Sequence, residues 1–181
     1  ELLRRRHHLT EIETLDILKQ SAVGLEQAAL KGIIHRDIKP DNLMMTEGGL
    51  CKVSDFGLAK NVASDSTMTN ASIRVGTPAF MSPEQCDGLR LDFRSDVYSL
   101  GVTAFVMLTG HLPYNGESPF AIMIKHKADP IPSVRDSLPH ISEAVDQFVQ
   151  RMMQKEPEQR FSSWRVLREE LDSVIEKITG K

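Results

Sequence analysis

Few cysteines, few aromatic residues and no long apolar run occur in this sequence. The two cysteines, Cys51 and Cys86, lie far apart, which makes neither a disulfide framework nor a zinc-ligand spacing and favours a reducing compartment. The longest nearly apolar stretch, residues 102–108, is far shorter than the roughly 20 residues that a membrane helix needs. We therefore expect a cytoplasmic protein with no membrane segment in this chain, and leave open a membrane anchor outside it.

Charge of one sign is not in excess either. The 22 Lys and Arg residues nearly balance the 25 Asp and Glu residues, giving a net charge of −3. This balance does not favour nucleic acid or an anionic membrane as a partner, and we expect neither. With 40% hydrophobic and 26% charged residues, the 181-residue chain is long enough for one globular domain with a core.

Helical periodicity is the main structural pattern that the sequence contains. Apolar residues at intervals of three and four predict helices that end at Gly32 and that cover residues 141–152 and 164–178. Residues 96–109 are apolar on nearly every side, which predicts a helix in the middle of the domain. A shorter helix is predicted at 119–127. The expected unit is mainly helical.

Two stretches depart from this helical pattern. Residues 43–53, which contain the turn Gly48-Gly49, predict a short β-hairpin. Residues 57–76 are polar and without periodicity, which predicts a long loop. Long loops inside compact domains usually have a function.

The polar residues at 35–42 and Asp55 offer the groups that phosphoryl transfer from ATP requires. That reaction needs an oriented acceptor hydroxyl, metal ions on the phosphates and positive charge near the transferred group. Asp37 is the candidate base, and Lys39 places a positive charge two residues away. Asn42 and Asp55 offer the oxygen ligands that Mg²⁺ prefers. Taken singly, each of these Asp and Asn residues would be better explained as a turn-forming residue.

Five motifs resemble those of one enzyme family, and the last of them is Arg160 in residues 157–160, which matches an arginine that pairs with Glu84. Residues 35–42, His-Arg-Asp-Ile-Lys-Pro-Asp-Asn, resemble the catalytic loop of eukaryotic-like (Hanks-type) serine/threonine protein kinases, and residues 55–57, Asp-Phe-Gly, resemble their metal-binding motif. Residues 76–84, Gly-Thr-Pro-Ala-Phe-Met-Ser-Pro-Glu, resemble the end of their activation loop, with Ser82 where Ala is usual. Residues 96–101 are similar to the start of their buried central helix.

The resemblance implies an α+β protein-kinase-like fold of which only the mainly α-helical C-terminal lobe, with a small β-hairpin, is present. Residues 1–181 would form that lobe, with the catalytic loop at 35–42 and the activation segment at 55–84. The N-terminal lobe is expected to be absent, because the chain contains neither a Gly-x-Gly-x-x-Gly loop nor a Val-Ala-Ile-Lys-like strand. We expect the fragment alone to be inactive.

The resemblance also implies a role for each candidate residue. Asp37 is the catalytic base, and Thr77 hydrogen-bonds both Asp37 and Lys39, which completes the catalytic set. Lys39 is typical of kinases that act on Ser and Thr hydroxyls of proteins. Met44 would lie beneath the adenine of ATP or would be plain core, and both alternatives stay open. Mg²⁺ is expected on Asn42 and Asp55, and ATP on Lys39, Asn42, Met44 and Asp55.

Several other residues are expected to be structural. By resemblance, His35 packs beneath Phe56, in a loop that Asp96 ties to the central helix. Glu84 and Arg160 would form an ion pair, and removing one partner would leave a buried charge.

Arg36 resembles the arginine of kinases that are regulated on their activation loop. An arginine beside a catalytic carboxylate needs an anion partner, and a phosphate in the activation segment would supply it. Thr69 is the preferred position because of its distance before Thr77. Contact with another kinase molecule would install the phosphate. The candidate positions are Thr67, Thr69 and Ser72.

The leading functional hypothesis is a fragment of a serine/threonine protein kinase that uses ATP and Mg²⁺ and acts on protein substrates. The alternative is a truncated regulatory or peptide-docking module, derived from a kinase, that does not transfer phosphate. A pseudokinase is disfavoured because Asp37, Asn42 and Asp55 are all present. The connection at 129–140 and the compact C-terminal end resemble bacterial members of the family.

Overall fold

The computed structural model describes residues 8–56, 60–61 and 77–180. Seven α-helices lie within these ranges: α1 (Glu11–Leu30), α2 (Pro83–Cys86), α3 (Phe93–Thr109), α4 (Pro119–Ala128), α5 (Val134–Ser137), α6 (Glu143–Met152) and α7 (Trp164–Thr179). Four short strands lie there as well: β1 (Ile33–Ile34), β2 (Leu43–Met45), β3 (Cys51–Val53) and β4 (Lys60–Asn61). The expected class, a mainly helical unit with a small antiparallel hairpin, is confirmed.

Helix α1 ends where its sequence predicts, and a capping box marks its start. Thr10 and Glu13 form a capping box, in which the Glu13 amide donates to the Thr10 hydroxyl (3.2 Å) and the Thr10 amide donates to the Glu13 carboxylate (3.0 Å). The helix stops before Gly32, which has a φ of 70°. Its predicted apolar face is buried against α7, β3 and α3.

Helix α3 is the buried centre of the fold. The Asp92 carboxylate accepts a hydrogen bond from the Arg94 amide (2.8 Å) and caps the helix, and Gly110 ends it with a φ of 78°. The helix therefore begins at Phe93, three residues before the predicted start at Asp96. The prediction was late because the capping residue belongs to no apolar pattern.

The predicted hairpin is present, and a second small sheet accompanies it. Strands β2 and β3 pair antiparallel, with Leu43 opposite Val53 and Met45 opposite Cys51. Strands β1 and β4 also pair antiparallel. The second pairing was not predicted, because two-residue strands are too short to carry a periodic pattern.

The remaining helices complete the core on both sides of α3. Helices α6 and α7 cover most of the predicted apolar stretches. Ser142 caps α6, so Ile141 lies just before that helix. The short helices α2 and α5 were not predicted. They are capped by Ser82 and Ser133, which both form capping boxes. Among the helices of the described ranges, none is long and apolar enough to cross a membrane.

We expect Gly101→Ala to destabilise the protein by about 1–3 kcal/mol, because helix α3 passes very close to α6 at this residue. The added methyl carbon would lie 2.7 Å from Cβ of Met152 and 3.0 Å from Cγ of Met153. Gly24→Ala in α1 is the matched control, since its nearest atom, Cγ2 of Val53, lies at 3.7 Å. Helix propensity should make that control about 0.5–1 kcal/mol more stable. Urea unfolding measures both changes, and equal stabilities would contradict the close packing.

Candidate active site

The carboxylate of Asp37 accepts hydrogen bonds from three neighbouring residues. Oδ1 accepts from the amide (3.0 Å) and the hydroxyl (2.9 Å) of Thr77. Oδ2 accepts from Lys39 Nζ (2.6 Å) and from Asn42 Nδ2 (3.2 Å). Lys39 Nζ also donates to the Thr77 hydroxyl at 2.7 Å. The structure thus brings together Asp37, Lys39 and Thr77, which the sequence had placed in one catalytic set.

The end of the 35–42 loop is joined to the hairpin through Asn42. The side-chain Nδ2 of Asn42 donates to the main-chain carbonyl of Asp37 at 2.7 Å. The Asn42 carbonyl in turn accepts from the amide (2.9 Å) and the hydroxyl (3.2 Å) of Ser54, just after β3. Because the side-chain nitrogen of Asn42 is used for Asp37, the side-chain oxygen is the atom that it can offer to a cation.

The side chain of Asp96 accepts hydrogen bonds from the main chain of the 35–42 loop. Its two carboxylate oxygens accept hydrogen bonds from the amides of His35 and Arg36, each at 2.8 Å. Burial raises the pKa of the Asp96 carboxyl to about 6, and the two amide donors limit the rise because they stabilise the charged form. The expected tie between this loop and the central helix is therefore present.

His35 has a structural position beneath the exposed Phe56. The two rings meet edge to face with centroids 4.6 Å apart. His35 Nε2 donates to the Ser54 carbonyl at 2.9 Å, so Nδ1 is the acceptor for the Asp37 amide at 3.3 Å. Both ring nitrogens are thus used to hold main-chain groups, as expected for a structural histidine.

Two residues of the site have left-handed backbones although neither is glycine. Arg36 has a φ of 71° and Asp55 has a φ of 61°. Such conformations cost free energy and persist where the surrounding contacts require them. For Arg36 those contacts include Asp96, and the side chain of Asp55 is left exposed to solvent.

Met44 is not a core residue. It lies in the middle of β2, and 60% of its surface is exposed. Its neighbours Leu43 and Met45 point to the opposite face and are partly buried against the core. Met44 is therefore outside the core of the described residues, and a place beneath adenine stays a prediction.

Glu84 and Arg160 form the expected ion pair, and it is buried. Two hydrogen bonds of 2.7 and 2.8 Å join the guanidinium to the two carboxylate oxygens, and the Ser95 hydroxyl donates to Glu84 at 2.7 Å. Burial alone would raise the pKa of Glu84, but the hydrogen bonds and charge of Arg160 hold it below its usual value. The pair fixes α2, which follows Thr77 by six residues, to the turn before α7.

Residues 1–171 match the protein kinase domain family. This chain belongs to that family. It is 34% identical over 174 residues to a probable serine/threonine-protein kinase of Clostridium acetobutylicum, covering 96% of this chain and 26% of that protein. It is 38% identical over 165 residues to the serine/threonine-protein kinase Pkn1 of Myxococcus xanthus, covering 89% of this chain and 24% of that protein. It is 40% identical over 159 residues to the probable serine/threonine-protein kinase PknB of Corynebacterium glutamicum, covering 85% of this chain and 25% of that protein.

The chain therefore spans about a quarter of the length of these curated relatives. The expected resemblance to bacterial Hanks-type serine/threonine kinases is confirmed, and the 35–42 loop, by its motif, stays the predicted catalytic loop. Protein kinases in general use ATP and Mg²⁺.

The oxygen donors of this kinase domain fit a magnesium ion that is shared with phosphates. Among the described residues, no group of three or more His, Cys, Asp or Glu side chains could hold a metal ion. Mg²⁺ needs no such cluster, because it binds one or two protein oxygens together with water and substrate phosphates. The side-chain oxygen of Asn42 and the exposed carboxylate of Asp55 are donors of the right kind.

Most of the activation segment falls outside the described residues. Thr67, Thr69 and Ser72, the candidate phosphorylation positions, are among the residues that are not described. Arg36, their expected partner, is buried in the catalytic loop, with 8% of its surface exposed.

Sequence patterns did not identify Gln85, whose side chain reaches the catalytic loop. Its Nε2 donates to the main-chain carbonyl of Arg36 at 2.9 Å. The Ser82-x-x-Gln85 spacing is a capping-box pattern and could have predicted α2. The contact with Arg36 joins residues that are 49 positions apart, and no local pattern indicates it.

We expect Arg160→Met to destabilise the protein by about 3–5 kcal/mol, because the Glu84 carboxylate would remain buried without its partner. Arg165→Met is the matched control, since Arg165 forms a 2.7 Å pair with Glu169 in which both side chains are mostly exposed. That control should cost less than about 1 kcal/mol. Urea unfolding measures both values, and similar losses would contradict the buried charge pair as the cause.

Proposed function

We propose that this chain is the catalytic part of a serine/threonine protein kinase, which transfers the γ-phosphate of ATP to Ser and Thr hydroxyls of proteins. The observation that carries the proposal is the geometry of Asp37. Asp37 is only 8% exposed, and its carboxylate is oriented by hydrogen bonds from Thr77, Lys39 and Asn42. A carboxylate held in this way is suited to orient an acceptor hydroxyl and to accept its proton.

The acceptor hydroxyl has to replace one of the present donors. A carboxylate offers about four lone-pair sites, and four hydrogen bonds now reach Asp37. Lys39 is the donor best suited to move, because a flexible stem carries its ammonium group and a neighbouring phosphate would attract it. Thr77 donates to Asp37 partly through its main-chain amide, and a main-chain group cannot move in the same way. Thr77 therefore holds Oδ1, while Oδ2 faces the acceptor.

The nucleotide and its metal would bind at the exposed edge of the same loop. ATP supplies the phosphoryl group, and Mg²⁺ neutralises charge on its phosphates. In our proposal Asn42 and Asp55 hold Mg²⁺, Lys39 contacts the phosphates, and Met44 contacts the adenine. The exposure of Met44 and Asp55 supports these roles, since both side chains are accessible to a ligand.

The chain corresponds in this proposal to the C-terminal lobe of the catalytic domain. That lobe comprises residues 1–181, with the catalytic loop at 35–42 and the activation segment at 55–84. The match to the kinase family over residues 1–171 supports this division, and so does the mainly helical fold. No glycine-rich phosphate loop occurs among the 181 residues, so kinase activity is best tested in the full-length protein.

We expect Asp37→Asn in the full-length protein to lower kcat about 10²–10⁴-fold, because the amide keeps the shape of the side chain but cannot accept the proton. The measurement is ATP-dependent phosphate incorporation into a basic test protein, followed by identification of the phosphorylated amino acids. Asp172→Asn is the control, since Asp172 lies on α7, is 48% exposed and pairs with Lys19. Unchanged activity in Asp37→Asn would contradict the role of Asp37 as the base, and no activity in the wild-type protein would favour the docking module over the enzyme.

We also propose that the kinase is regulated by a phosphate on Thr67, Thr69 or Ser72, with Thr69 preferred. The position of Arg36 directly before Asp37 in the sequence supports this, because a phosphate forms strong charge-assisted hydrogen bonds with a guanidinium. Mass spectrometry of the active full-length protein should find the phosphate, and Thr69→Val should lower both occupancy and kcat. Active protein without phosphate at positions 57–76 would contradict the proposal.

A further inference from the structure

We propose that Gln85 is a positioning residue for Asp37, and that it acts through the peptide bond between Arg36 and Asp37. The inference rests on the proposed kinase function and adds to it a residue outside the catalytic loop. Gln85 belongs to the short helix α2 and is partly buried. Among the hydrogen bonds of the described residues, none joins the Gln85 side chain to Asp37 or to the expected nucleotide site.

The side-chain amide of Gln85 has a fixed orientation. Its Oε1 accepts a hydrogen bond from the main-chain amide of Ser82 at 3.0 Å. The main-chain amide of Gln85 donates to the Ser82 hydroxyl at 3.3 Å. This capping box leaves Nε2 pointing away from Ser82, and Nε2 donates to the Arg36 carbonyl at 2.9 Å. A main-chain carbonyl accepts only, so the opposite orientation of the amide would lose both hydrogen bonds.

The Arg36 carbonyl is part of the peptide plane that carries Asp37. Arg36 is held on its other side by Asp96, which accepts from the Arg36 amide at 2.8 Å. Gln85 therefore holds the carbonyl end of a residue whose amide end is already held. The left-handed φ of 71° at Arg36 is maintained between these two contacts. The direction of the Asp37 side chain depends on the orientation of this peptide plane.

The residues from Thr77 to Gln85 thus contact the catalytic loop at two points. Thr77 holds the carboxylate of Asp37 through Oδ1, and Gln85 holds the main chain just before it. Glu84, the neighbour of Gln85, is held in turn by Arg160. Two contacts at separate points define both the place and the direction of the Asp37 side chain.

A role in capping alone is distinguished from positioning by Gln85→Glu. Glutamate is as suitable as glutamine at this position of a capping box, so α2 should keep its cap. The substitution replaces the Nε2 donor by an acceptor, which cannot bond to the Arg36 carbonyl and repels it. Ser82→Ala makes the converse change, because it removes the capping hydroxyl and leaves the amide of Gln85 in place.

The experiment measures kcat, KM for ATP, thermal unfolding and amide hydrogen exchange of the full-length protein. For Gln85→Glu we expect a loss of about tenfold to hundredfold in kcat, a KM for ATP within threefold of wild type and a nearly unchanged Tm. Amides at 36–38 should exchange faster. Ser82→Ala should lower Tm and reduce kcat less than threefold. Gln147→Glu, on the exposed side of α6, controls for the added charge and should match wild type.

The possible results separate positioning from capping and from a failure of the proposed function. Wild-type kcat in Gln85→Glu would overturn the positioning role. Equal kcat losses in Gln85→Glu and Ser82→Ala, with equal losses in Tm, would overturn it in favour of capping. An inactive wild-type protein, with Asp37→Asn no different, would refute the kinase function itself. In that case, faster amide exchange at 36–38 in Gln85→Glu would show only that Gln85 makes a structural contact. That result would also overturn the positioning role.

Discussion

The contact between Asp96 and the catalytic loop is the constraint on which the rest of the site depends. A carboxylate at the first turn of the central helix accepts the amides of His35 and Arg36, each at 2.8 Å. Two consecutive amides that point at one side chain require a sharp turn, and Arg36 accordingly has a left-handed backbone. The buried carboxylate needs these donors, since burying a charge without hydrogen bonds is costly. The loop needs the same carboxylate to hold its shape.

A second polar network connects the far side of the lobe to this loop. Arg160 uses all five of its N–H donors, bonding Glu84 twice and the main-chain carbonyls of Arg94, Gln154 and Lys155 once each. A buried guanidinium with every donor satisfied is tolerated in an apolar interior. Through Glu84 it holds helix α2, and α2 reaches the catalytic loop. Main-chain groups of the loop are thus held by side chains from two helices, Asp96 of α3 and Gln85 of α2.

Much of this lobe could be predicted, and the failures have identifiable causes. Apolar spacing located the long helices, because each buries one face over several turns. It placed the start of α3 late, since Asp92 caps the helix without being apolar. It missed α2 and α5, which are single turns held by serine capping boxes, and the β1–β4 pairing. It left Met44 open, because a hydrophobic residue in a short strand can face either side.

The sequence by itself determined which chemical groups this protein has. The order and spacing of Asp37, Lys39, Asn42 and Asp55 identify the family, because its motifs are short and local in the chain. Only the tertiary structure decided how these groups are held. Thr77 meets Asp37 across 40 positions and Gln85 meets Arg36 across 49, and such contacts exist only when helices pack in one arrangement. Hydrogen bonds between distant residues depend on that packing, and no local pattern encodes them.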